Sequence, residues 1–176
     1  MPGCLVLVVG PSGAGKDTLI RLARAALAGD PRYVFPRRLV TRPPSADEDN
    51  DQIDEAAFAE GCAAGRFTLS WRAHGLGYAL PAAAGRLAAD GHVVVCNVSR
   101  RIVTEARAGG RPVSVVEITA PPEILAQRLA ARGRPEDGDL TARLAREGQV
   151  EPDVRIFNTG APEAGAARLV AHLRGC

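Results

Sequence analysis

Residues 10–16 read Gly-Pro-Ser-Gly-Ala-Gly-Lys and are followed by Asp17 and Thr18. This is the G-x-x-x-x-G-K pattern of a loop that cradles nucleotide phosphates, set between an apolar run (Cys4–Val9) and a helical stretch. Glycines let the backbone curl so that successive N–H groups converge on an anion at a helix N-terminus. Lys16 then reaches the outer phosphates as a compact charge. The nucleotide-binding set expected from this motif is Gly10, Pro11, Ser12, Gly13, Ala14, Gly15, Lys16, Asp17 and Thr18. Lys16 carries further weight because it is the only lysine among 22 basic residues. Where charge alone is needed the chain uses arginine, and a retained lysine marks a place for an ammonium that a guanidinium cannot imitate.

The residue after Lys16 departs from the usual pattern, in which a hydroxyl stands there as a magnesium ligand. A carboxylate roughly 5 Å from a phosphate oxygen is repelled by about 3 kcal/mol at an effective dielectric near 20. Mg²⁺ between the two reverses that sign, and carboxylate oxygen is a suitable hard ligand. Asp17 is therefore read as the metal residue, directly or through water. Its other reading is a carboxylate that only favours the helix N-terminus.

The elements that must position these groups alternate along the chain. Strands are expected at 4–9, 93–98, 113–118 and 155–158, with two shorter extended stretches at 67–73 and 77–80. Helices are expected at 17–27, 54–64, 81–90, 99–108, 122–132, 139–147 and 164–173. Asp54, Ser99 and Asp139 serve as N-caps, Pro81 and Pro122 as helix openers, and Gly65 and Gly91 as stops. Short continuous apolar strands between helices imply a parallel sheet covered on both faces. The expected fold is thus a single α/β domain over residues 1–176 with a parallel sheet flanked by helices. Two polar loops, Pro43–Gln52 and Gly133–Gly138, read as mobile.

Composition sets bounds around this. The 176 residues are 46% hydrophobic and 24% charged, which is ordinary for a globular chain. A net charge of +2 gives no reason to expect a nucleic-acid partner. The opening apolar run is too short to span a bilayer or serve as a signal peptide, so no membrane role is expected. Four cysteines without metal spacing suggest free thiols in a cytoplasmic protein. None of this sets an oligomeric state.

The order of motifs along the whole chain resembles the guanylate-kinase-like branch of P-loop kinases. The motifs are the phosphate loop, Thr41-Arg42-Pro43-Pro44, the Trp71-to-Tyr78 stretch, and Arg128-Leu129-x-x-Arg132-Gly133 followed by Arg143-Leu144. The resemblance implies a P-loop fold with ATP and Mg²⁺ as cofactors, an acceptor-binding region at about 33–80 and a lid at about 131–142. It also implies Arg42 on acceptor phosphate, with Arg132 and Arg143 catalytic in the lid beside Lys16. Within that branch, guanylate kinases carry an arginine where this chain has Ser45 and a tyrosine where it has an acidic loop (Asp47–Asp51). They also carry a guanine-accepting glutamate where it has Ser70. Buried donors left unpaired cost several kcal/mol in total, so GMP is a poor acceptor for such a site, though a guanylate or other small-molecule kinase stays open as the alternative.

The replacements are similar to a narrower family, the ribose 1,5-bisphosphate phosphokinases. The motifs that carry this likeness are Gly15-Lys16-Asp17-Thr18, the run Leu-Ser-Trp-Arg-Ala-His-Gly-Leu-Gly-Tyr at 69–78, and Asn97-Val98-Ser99-Arg100. The resemblance implies phosphoryl transfer from ATP to the 1-phosphate of ribose 1,5-bisphosphate, giving 5-phospho-α-D-ribosyl 1-diphosphate. Two phosphate monoesters need at least two cationic anchors, and Arg42, Arg72 and Arg100 are the candidates. Ribose hydroxyls need carboxylate or amide partners, for which Glu48, Asp49 and Asn97 stand ready, with Ser70 beside them. The acidic loop reads equally as a solvated turn. Asn97 stands where related kinases place an acidic residue. The acceptor is already an anionic oxygen, so the reaction requires no general base; it requires alignment and charge stabilisation.

Overall fold

The computed structural model describes residues 2–43, 49–133 and 150–176. The six residues of β1 (Cys4–Val9) are all buried, as an unbroken apolar run demands of a strand covered on both faces. The phosphate loop leads from it into α1 (Lys16–Ala26). Three short strands follow, β2 (Tyr33–Val34), β3 (Arg38–Val40) and β4 (Asn50–Gln52). Next come α2 (Glu55–Ala63), the hairpin β5 (Phe67–Ala73) and β6 (Leu76–Pro81), and α3 (Ala82–Ala89). After β7 (Val93–Asn97) a 3₁₀ turn at Arg100–Ile102 runs into α4 (Val103–Ala108). The chain continues through β8 (Val113–Thr119) and α5 (Pro122–Arg132), then β9 (Val154–Phe157) and α6 (Pro162–Gly175).

The first sheet has the order β2-β7-β1-β8-β9, and its pairings are parallel throughout. Its order runs outward in both directions from β1, which makes the C-terminal ends of β1, β7 and β8 the topological switch point where open α/β sheets bind ligands. Register places Asn97 opposite Val8 and Glu117 opposite Val9, one or two residues before the phosphate loop begins. Strand alternation divides the core in two. Val6 and Val8 pack with Leu19 and Ala23 of α1, Leu125 of α5, and Leu169 and Leu173 of α6. Leu5, Leu7 and Val9 face Ala84 and Ala88 of α3, Ile102 and Val103, and also Leu69, Trp71 and Leu80.

Those last three residues belong to a second sheet of order β4-β3-β6-β5, in which β3 and β4 are parallel and the remaining pairs antiparallel. This sheet corrects the expectation of a loop over Pro43–Gln52, because residues 50–52 form β4 against β3 in the register Arg38↔Asn50 to Val40↔Gln52. The helix expected directly after Ser99 opens instead as the 3₁₀ turn, with Ser99 Oγ accepting from the Arg101 N–H at 3.4 Å. The expected helix at 139–147 and most of the expected lid lie outside the described residues.

Candidate active site

The phosphate loop is shaped by glycines at positive φ: Gly10 at 143°, Gly13 at 83° and Gly15 at 87°. At Gly10 a Cβ would stand 1.9 Å from the carbonyl oxygen of Ile118, so the loop can leave β1 beside β8 only with no side chain there. Lys16, the first residue of α1, folds its ammonium back and donates to the carbonyls of Gly10 (2.8 Å) and Pro11 (3.1 Å). The far side of the loop is held by the segment after β9. Asn158 is buried; its Nδ2 donates to the Ala14 carbonyl at 2.8 Å, and its backbone N–H donates to Thr119 at 2.8 Å. Arg128 of α5 links the same two segments, donating to the Gly13 carbonyl (3.2 Å) and the Asn158 carbonyl (2.7 Å).

On the other side of the loop, Asn97 closes β7 and its Nδ2 donates to Asp17 Oδ1 at 2.7 Å. The Asn97 carbonyl accepts from Arg38 Nη1 at 3.1 Å, and Arg38 Nε donates to the buried Asn50 side chain at 3.1 Å. The Arg38 guanidinium lies over the Tyr78 ring, 5.4 Å from its centroid, and Tyr78 stacks on Trp71 at 5.6 Å. Charge, amide and aromatic surface thus run continuously from the phosphate loop to the second sheet. Among the described residues no cluster of three or more His, Cys, Asp or Glu forms a metal site. Mg²⁺ bound with a nucleotide keeps several waters and needs only one or two carboxylates, so Asp17 beside the loop fits it. The glycine-shaped cradle with Lys16 across it fits a nucleotide's phosphates.

The other expected site residues are distributed unevenly. Arg42 follows Thr41, which is tied to the hairpin: Thr41 Oγ1 accepts from the Gly77 N–H at 2.8 Å. Ser70 lies half-buried on β5, opposite Ala79 and next to Trp71. Arg132 stands exposed at the last turn of α5, which ends at the left-handed Gly133 (φ 58°). Asp49 is gripped by Arg24 at 2.7 Å and Arg37 at 3.2 Å. The hydrogen bond from Arg24, with the two positive charges, holds its carboxyl below the usual range against a smaller opposing effect of burial. Arg72 pairs with Glu55 of α2 and lies over the Phe58 ring, so the structure does not bring it together with Asp17 and Asn97. Arg100 is paired with Glu117 at 2.5 Å, both side chains largely buried, and Glu117 also takes Arg155. Glu48 and Arg143 lie outside the described residues.

Four residues escape a reading of the sequence alone. Arg38 and Glu117 sit in short or apolar strand contexts that give no sign of a site. Arg128 falls within a quoted motif, but nothing in its spacing says that it braces the loop. Asn158 lies more than 140 positions from its partner Ala14, and only the pairing of β8 with β9 brings the two together.

No family model matches the chain. A ribose 1,5-bisphosphate phosphokinase PhnN of Methylobacterium radiotolerans is 84% identical over 176 residues, covering all of both chains. A protein of the same name from Rhodopseudomonas palustris is 52% identical over 173 residues, 98% of this chain and 89% of that one. Among solved structures, a guanylate kinase from Anaplasma phagocytophilum superimposes with a TM-score of 0.70 over 99% of this chain and 86% of its own. At 19% identity that likeness speaks for the P-loop kinase fold alone. The full-length identity to the first two proteins means that the chain belongs to the ribose 1,5-bisphosphate phosphokinase family.

Proposed function

We propose that the protein transfers the γ-phosphoryl group of ATP to the 1-phosphate of ribose 1,5-bisphosphate, yielding 5-phospho-α-D-ribosyl 1-diphosphate and ADP. The observation that carries this reading is the 84% identity over the whole chain to a protein named for that substrate. The glycine-shaped loop and the fold of Lys16 over it support the ATP half of the reaction.

In this reading the acceptor phosphate oxygen forms a bond to the γ-phosphorus as the bond from that phosphorus to the bridging oxygen of ADP breaks. The acceptor arrives as an anion, so the chain supplies no general base. Its task is to hold two anions in line and to place positive charge where negative charge develops. Lys16 serves the nucleotide side, and Asp17 would hold Mg²⁺, which when bound neutralises charge on the phosphates. Arg42 serves the acceptor's phosphate, while Arg132 and Arg143 serve the transferring group. Asn97, Ser70, Glu48 and Asp49 are the candidates to satisfy the sugar's hydroxyls. The pocket favours this acceptor over guanine because Ser70 offers no carboxylate to a pair of buried N–H donors. Among the described residues no helix is long and apolar enough to cross a membrane, and the reaction is assigned to the cytoplasm, where ATP is maintained.

Phosphorus NMR of the purified protein with Mg-ATP tests this, with ribose 1,5-bisphosphate in one tube and GMP in another. A new diphosphate doublet pair from the sugar with GMP untouched is the expected result. GDP formation without sugar turnover would overturn the acceptor assignment and leave the kinase fold with a guanine site.

A further inference from the structure

P-loop enzymes commonly hold Mg²⁺ between a hydroxyl following the loop lysine and a carboxylate at the end of a neighbouring strand. In this chain the carboxylate follows the lysine, as Asp17, and an uncharged amide closes the neighbouring strand, as Asn97. We infer that the two positions have exchanged roles: Asp17 supplies the carboxylate for the metal, and Asn97 is the positioning residue that orients it. This inference rests on the reading of Asp17 as a ligand of nucleotide-bound Mg²⁺.

Geometry brings the two residues together. β7 is the parallel neighbour of β1, and the register Val8↔Asn97 ends both strands at one edge. From there Asn97 Nδ2 reaches Asp17 Oδ1 at 2.7 Å. A carboxylate accepts and never donates when ionised, so the amide must turn its N–H₂ toward Asp17. That bond occupies part of one carboxylate oxygen and fixes the plane of the group, leaving the other oxygen for a cation or its water. Asn97 is itself held from behind, since its carbonyl accepts from Arg38 at 3.1 Å. The exchange also explains why position 97 is neutral. An aspartate there would set two carboxylate oxygens within hydrogen-bond distance of each other, where both cannot stay ionised without a cation between them.

Neither single replacement is therefore conservative, whereas replacing both restores the common arrangement. The test is a double-mutant cycle read by calorimetry: ADP affinity in Mg²⁺ and in EDTA for the wild type, Asp17→Thr, Asn97→Asp and the pair. The quantity of interest is the gain in affinity that Mg²⁺ provides. Asp17→Thr is expected to lose about tenfold of that gain, Asn97→Asp to exceed the wild-type gain because Mg²⁺ relieves its two facing carboxylates, and the double variant to return to within about threefold of wild type. In EDTA, Asp17→Thr should bind ADP more tightly than wild type, because the carboxylate that repels the phosphates is gone, a gain that a general loss of structure would not give. Asn97→Ala should also lower the Mg²⁺ gain several-fold while unfolding at the wild-type midpoint. A double variant that stays at the Asp17→Thr level would overturn the exchange, because a carboxylate at position 97 would then not take over from the one at position 17. So would an Asn97→Asp protein that matches wild type. A wild-type affinity indifferent to Mg²⁺ would overturn both this inference and the metal role of Asp17. No sugar phosphate enters the cell, so failure of the acceptor assignment appears only in the NMR experiment.

Discussion

Lys16 holds a position that no other side chain in the protein can take over. Its ammonium lies within hydrogen-bond reach of two loop carbonyls, those of Gly10 and Pro11. It can swing from carbonyl oxygens to phosphate oxygens without moving the backbone, because three rotatable donors sit on a flexible stem. A guanidinium at the same place is planar and wider, and its fork does not match a curled loop of glycines. Lys16→Ala and Lys16→Arg are both expected to lower kcat by at least about a hundredfold, the scale seen when one preorganised charge-stabilising group is removed. Far-UV circular dichroism should remain that of the wild type. The measurement is turnover with Mg²⁺ in excess over ATP, and a Lys16→Arg enzyme at wild-type speed would mean that position 16 needs only a positive charge.

Elements were legible in the sequence wherever a long apolar run or a clear punctuation mark announced them. The strands β1 and β7 are such runs, β8 is one broken by Ser114 and Glu117, and α5 runs from Pro122 to Arg132 as expected. β2, β3 and β4 were not legible, since they span two or three residues and include Arg38, Asn50 and Asp51, types that read as loop. Their strand character comes from distant partners rather than from local preference, as when Arg38 bonds the Asn50 side chain and the end of β7. The site shows the same division. The phosphate loop could be read from spacing alone, whereas its braces Asn158 and Arg128 exist only through packing. The segment before β4 gives a pH test at this scale. Asp49 ties it to α1 through Arg24, and the carboxyl is held below its ordinary value. A depressed folded value means the pair contributes fully above the unfolded value of about 3.9 and is lost as pH falls through the folded one. Both side chains are nearly half exposed, so screening limits the pair to about 0.5 kcal/mol. Urea titrations of wild type and Asp49→Asn should differ by that amount at neutral pH, and the gap should close in acid and in high salt. A gap that persists below the carboxylate range would assign the difference to packing instead.

At the scale of the molecule the question is whether two sheets make one folding unit. Leu69, Trp71 and Leu80 of the second sheet lie in the same buried cluster as Leu5, Leu7 and Val94 of the first. Arg38 adds a polar link from β3 to the end of β7. A sheet whose apolar face is shared with its neighbour exposes that face if it unfolds alone, and each buried leucine-sized side chain lost to water costs about 1.5–3 kcal/mol. With three such residues on the second sheet, separate unfolding is disfavoured, and the two sheets should melt together. Trp71 makes this directly observable, because it is the only tryptophan and stands on the second sheet where that sheet meets the first. Most helices, by contrast, cover the first sheet and dominate the far-UV signal. Denaturation followed by tryptophan fluorescence and by circular dichroism should therefore give coincident transitions. Replacing Trp71 by phenylalanine would remove the probe, so Leu80→Ala serves as the companion variant. It is expected to shift both transitions together by about 2–5 kcal/mol. A fluorescence transition that precedes the loss of helix would instead show the second sheet to be a separate unit. Ser70 on β5 and Arg42 just past β3 would then be free to move relative to Lys16 and Asp17 at little energetic cost.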